Sequence, residues 1–132
     1  REARRLVLYG TCVAFEHPNL LAEVTGDSPA LAVCLEEDHM NMVGFKLAGL
    51  LRRCELEELV VLTVDGSPHC VQLHTLVEEC VKILGGLRTR VRHAVIYKGR
   101  LYEVSAEDVK LSRYLSKISR LRRLTNMEPG GL

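Results

Sequence analysis

Short uninterrupted apolar blocks alternate along this chain with longer stretches whose apolar positions recur at three- and four-residue intervals. The first pattern predicts strands covered on both faces, the second amphipathic helices. Leu6-Val7-Leu8-Tyr9, ended by Gly10, reads as a first strand, with Thr11 and Cys12 just beyond it. His17-Pro18 opens a segment through Val24 of one or two helical turns, proline being tolerated at the first helical position. The turn Gly26-Asp27-Ser28-Pro29 leads into a second strand, Ala30 to Leu35, apolar throughout and expected to be buried on both sides.

Helical spacing runs from about His39 to Arg53, with Asp38 the expected N-cap and Val43, Leu47, Leu50, Leu51 and Cys54 on one face. Leu59 to Val64 is the clearest strand, broken by Asp65-Gly66-Ser67-Pro68. Ser67 as N-cap with Pro68 next predicts a helix that reaches Leu84 and stops at Gly85-Gly86. Val91 to Tyr97 forms a fourth strand, and Lys98-Gly99-Arg100 turns it back into Leu101 to Val104 as a hairpin. Ser105, with Asp108 three residues on, caps one last helix carrying Val109, Leu111, Tyr114, Leu115, Ile118, Leu121 and Leu124.

This order predicts an α/β fold: a single-domain three-layer sandwich with a mostly parallel sheet of four to five strands, a C-terminal hairpin and helices on both faces. The domain is expected over residues 1–125. Residues 126–132 read as a frayed tail.

Composition then narrows the function. The chain is 47% apolar and 27% charged, a globular balance, and its formal net charge of +1 gives no reason to expect nucleic acid or an anionic membrane. No apolar run approaches the roughly 18 residues of a membrane span, and no secretory signal is present. The chain starts at Arg1 rather than Met, which leaves room for an upstream segment. Five cysteines without a disulfide-framework spacing point to reduced thiols and a cytoplasmic location. Lys110, Arg113, Lys117, Arg120, Arg122 and Arg123 make the last helix basic, a surface for an acidic protein partner if it is more than a solvated face. A homodimer is a common state at this size, though no residue argues for one.

Parallel strands end at one edge, where ligands bind. Cys12 follows the first strand, Cys34 and then His39 follow the second, and Asp65, Ser67, His69 and Cys70 follow the third. Cys70 occupies the third position of a capped helix, where unpaired amides favour a thiolate. His74 lies one turn behind it on the same face. A Cys–His pair four apart can hold a zinc ion, so Cys70 and His74 are the expected core ligands, joined by Cys12, Cys34 or His39. An iron or iron–sulfur centre on the strand-end thiols is the alternative cofactor. The second expectation is a thiol enzyme or redox protein with Cys70 as nucleophile, His69 or His74 as base and Asp65 as orienter. The third is an interaction module in which the thiols merely pack, as Cys54 and Cys80 are expected to do. His17 and His93 read as incidental, His93 because it lies near a strand start.

A strand-end cysteine followed by a later histidine–cysteine pair resembles the layout of β-class carbonic anhydrases. Their Cys-x-Asp and His-x-x-Cys spacings are not met, since Val13-Ala14 follow Cys12 and His69-Cys70 are adjacent. No Cys-x-x-Cys, dinucleotide fingerprint or Gly-Lys-Ser/Thr occurs either.

Overall fold

The structure, a computed structural model, describes residues 5–125; the expected tail at 126–132 lies outside them. Strands β1 (Arg5–Gly10), β2 (Ala30–Val33), β3 (Glu58–Val64), β4 (Arg90–Tyr97) and β5 (Arg100–Val104) form one sheet in the order β2-β1-β3-β4-β5. All neighbours are parallel except the β4–β5 hairpin. That hairpin turns through Lys98 and Gly99, at φ 53° and 77°. Positive φ at both central residues matches the strand twist.

Successive strand residues point to opposite faces, which builds two cores. On one face Leu6, Leu8, Leu59 and Val61 meet Leu47 and Leu51 of α3 (Met40–Arg53) and Leu73 and Val77 of α4 (Pro68–Leu84). On the other, Leu62, Ala94 and Ile96 pack with Val13 of α1 (Thr11–Glu16) and Leu20 and Leu21 of α2 (Pro18–Thr25). An ion-pair ladder crosses four strands: Arg5 to Glu58 at 2.9 Å, Glu58 to Arg92 at 3.1 Å, Arg92 to Glu103 at 2.9 Å.

Several expectations are corrected. β2 is an edge strand with Ala30, Leu31 and Ala32 exposed, not a strand buried on both faces. An apolar run reports that a strand forms, not which neighbours reach it. The last helix is two, α5 (Ala106–Leu111) and α6 (Leu115–Thr125). Between them the N–H groups of Arg113 and Tyr114 donate to Lys110 and Leu111, three residues back, a tightening that breaks the α-helical ladder. Val109 of α5 is buried, whereas no residue of α6 is. The Ser105–Asp108 capping box is present in both directions. His39 rather than Asp38 stands at the N-cap of α3, and Cys54, expected to pack, is its exposed C-cap residue.

Candidate functional site

β1 and β3 are adjacent, yet the helices that follow them leave toward opposite faces: Val13 of α1 packs on one side and Leu73 of α4 on the other. The backbones part there, and a crevice opens at the carboxyl ends of the strands. Its cavity, about 40 Å³, is lined by Gly10, Thr11, Cys12, Cys34, His69 and Cys70 among others. That space accommodates on the order of three waters, so it admits a reacting group or small ion rather than a whole nucleotide.

Three adjacent parallel strands deliver the three thiols. Cys12 lies in the first turn of α1, exposed. Cys34 follows β2, where its carbonyl accepts from the N–H groups of Glu37 and Asp38 at 3.1 and 2.8 Å, turning the chain toward α3. Cys70 is buried in the first turn of α4. Ser67 holds the N-cap position of α4 without a side-chain bond, and Pro68 begins the helix. Gly10 is the common floor: a Cβ there would stand 3.6 Å from Cys70 Sγ and 3.8 Å from Thr63 Cγ2. Partial desolvation, and after it the field of Cys70, Glu16, Cys34 and Glu36, holds the Cys12 thiol above its ordinary range.

His74 does not join this cavity. It turns into the core, with Nε2 2.8 Å from Thr63 Oγ1 and Nδ1 2.8 Å from Nδ1 of His93. His93, buried as deeply, reaches Glu78 Oε2 through Nε2 at 2.6 Å. Burial, and after it His93, pushes His74 down to about 3, so the ring is neutral at physiological pH. With a charged Glu78 and neutral rings, every donor is assigned. Thr63 O–H donates to His74 Nε2, His74 Nδ1–H to His93 Nδ1, and His93 Nε2–H to the carboxylate.

His93 was therefore not incidental: the pleat of β4 points it inward beneath α4. The signals were a hydroxyl in an otherwise apolar strand and the four-residue spacing of His74 and Glu78, which places both on one side of α4. His39 and Asp65 are exposed and do not line the cavity; the Asp65 N–H donates to the Ile96 carbonyl. Both ring nitrogens of His74 are engaged, which leaves it no lone pair for a metal. Among the described residues no group of three or more His, Cys, Asp or Glu side chains is arranged to hold a metal ion.

The sequence model of the Rossmann-like domain family matches residues 1–127. The chain belongs to the Rossmann-like domain family. No curated protein and no solved structure matches it. In this Rossmann-like domain the crevice lies at the expected switch point, between β1 and β3, but its first turn reads Gly10-Thr11-Cys12 where a glycine-rich phosphate loop would stand. Among the described residues no helix is long and apolar enough to cross a membrane.

Proposed function

We propose that this Rossmann-like domain is a thiol-dependent module in which Cys70 exchanges with a small-molecule disulfide. The observation that carries the reading is the shared lining of one small cavity by Cys12, Cys34 and Cys70. Cys70 sits deepest, against Gly10, and acts as nucleophile. Its thiolate attacks one sulfur of the disulfide, an S–S bond forms as the original one breaks, and the other sulfur leaves as thiolate. Cys12, exposed at the rim, then attacks the mixed disulfide; a Cys12–Cys70 bond forms and the second small thiol departs. The cavity size confines the reacting sulfur to the crevice, with the rest of the substrate outside it.

The test is competitive alkylation with peptide mapping. Exposed Cys54 lies outside the cavity and serves as the internal reference. Cys70 should be carboxamidomethylated ahead of Cys54 despite its burial, and incubation with a small disulfide should yield a mixed disulfide at Cys70. Labelling of Cys54 and Cys12 with Cys70 untouched would overturn the reading. A purified protein carrying stoichiometric zinc or iron that Cys70→Ser abolishes would replace it with the metal-binding one, in which the three thiols close on one ion.

A further inference from the structure

Thiol exchange at the crevice leaves three buried groups, Thr63, His74 and His93, and the half-buried Glu78 unused, linked end to end by bonds of 2.6 to 2.8 Å. Buried imidazoles are costly to satisfy, and here two are held ring nitrogen to ring nitrogen where an apolar pair would pack. We propose that Thr63, His74, His93 and Glu78 form a proton relay that accepts a proton released on the Cys70 side of the core and holds it at His93 against the Glu78 carboxylate. Its use by Cys70 rests on the thiol-exchange reading; the relay itself does not.

The proton count closes. In the resting chain every hydrogen bond points toward Glu78, as assigned above. When a proton arrives, the Thr63 hydroxyl proton passes to His74 Nε2, and the His74 Nδ1 proton passes to His93 Nδ1. The arriving proton replaces the one that the Thr63 oxygen gave up. His74 is neutral before and after and only exchanges tautomer; His93 becomes an imidazolium donating to Glu78 and to His74. With Cys70 as the source, the result is a thiolate at the crevice and one positive charge paired with Glu78.

At the near end Cys70 Sγ and the Thr63 methyl Cγ2 stand 3.6 and 3.8 Å from the position of a Gly10 Cβ, with the Thr63 hydroxyl turned to His74, and Cys70 precedes His74 by one turn on the inward stripe of α4. At the far end, Glu78 borders a groove of about 280 Å³ between α4 and α5. The charged groups there are Glu78, Glu79 and Lys82 from α4, Glu107 and Lys110 from α5, and Arg113 from the turn after it. Glu79 is paired with Arg113 at 3.2 Å. On the neighbouring strands Val61 and Val104 stand opposite His93 in register and bring no charge. The depressed basicity of His74 suits a group that passes a proton without keeping it.

Long-range proton–nitrogen spectra of the full chain, ¹⁵N-labelled at histidine and titrated across neutral pH, test the relay. His74 should remain neutral while its hydrogen moves from Nδ1 to Nε2, in step with double protonation of His93. Glu78→Gln, which keeps an acceptor but removes the counter-charge, should lower the midpoint of that transition by roughly one pH unit or more. It should also slow Cys70 alkylation near pH 7 by roughly tenfold, leaving Cys54 unchanged. A His74 that keeps its Nδ1 hydrogen throughout, or becomes charged itself, overturns the relay. A normal tautomer shift with Cys70 alkylation unaltered by Glu78→Gln overturns the link to the thiol. A wild-type Cys70 slower than Cys54 defeats thiol exchange instead, and the spectra decide the relay without it.

Discussion

Nδ1 of His74 and Nδ1 of His93 face each other at 2.8 Å inside the core, their ring centroids 5.0 Å apart. Two identical atoms at that distance share a single hydrogen, so one ring must donate and the other accept. Each ring's second nitrogen is also engaged, by Thr63 and by Glu78. Nothing in the chain can change partner without leaving a buried polar atom unpaired.

That dependence should appear as strong coupling. His74→Leu orphans the Thr63 hydroxyl and His93 Nδ1, and His93→Leu orphans His74 Nδ1. Each substitution should cost roughly 2–4 kcal/mol in urea denaturation. The double variant should cost less than the sum of the two by about 1 kcal/mol or more, because it removes the unpaired Nδ1 that each single variant leaves and keeps only the Thr63 hydroxyl unpaired. Strict additivity would mean that the two rings do not act together.

Acidification should destabilise the fold through the same ring. The folded value of His74 is about 3, against an ordinary 6.5 in the unfolded chain. Between those values the unfolded state binds a proton that the folded ring does not, so stability falls as pH falls. The loss begins near pH 6.5, with a slope that approaches on the order of 1.4 kcal/mol per pH unit. Denaturation midpoints compared at pH 7 and pH 5 measure it, and His74→Leu should flatten the slope. Equal stability at the two pH values would contradict the assignment of His74 as a buried neutral base.

Gly10 separates packing from chemistry. Its φ of −70° and ψ of 140° are open to any residue, and a methyl group would meet Cys70 and Thr63 at ordinary contact distances of 3.6 and 3.8 Å. Gly10→Ala should therefore fold with a stability within about 1 kcal/mol of wild type. The added methyl stands against Cys70 Sγ, so alkylation of Cys70 should slow relative to Cys54. A large loss of stability would show that the crevice floor is tighter than these contacts imply.

The ladder Arg5–Glu58–Arg92–Glu103 illustrates how non-local pairing shapes a single group. Desolvation pushes the Glu58 carboxyl up, but hydrogen bonds and charge from Arg92 and Arg5 more than offset it and hold it below its ordinary range. Its partners come from strands more than thirty residues away on each side, and only the parallel register brings them together.

Local pattern made most elements legible. The unbroken run Leu59–Val64 produces β3, Pro68 and Gly85 bound α4, and Lys98-Gly99 closes the hairpin, because caps, turns and apolar periodicity act within a few residues. Gathering Cys12, Cys34 and Cys70 at one edge was legible too, since parallel strands all end on the same side. What local pattern does not contain is neighbour identity. The exposure of β2 followed from its place at the edge of the sheet, and the split of the last helix from a local tightening at Arg113 and Tyr114 that apolar spacing does not report. The same limit governed the site: Cys12, Cys34 and Cys70 meet because β2, β1 and β3 lie side by side. His74 left the expected metal set because β4 pairs with β3 in the one register that sets His93 opposite Val61, beneath α4. Hydrogen bonds between residues nineteen and fifteen positions apart are decided by that register alone. The chain's own order dictates where thiols and imidazoles begin; only packing of distant strands against one helix dictates which of them touch.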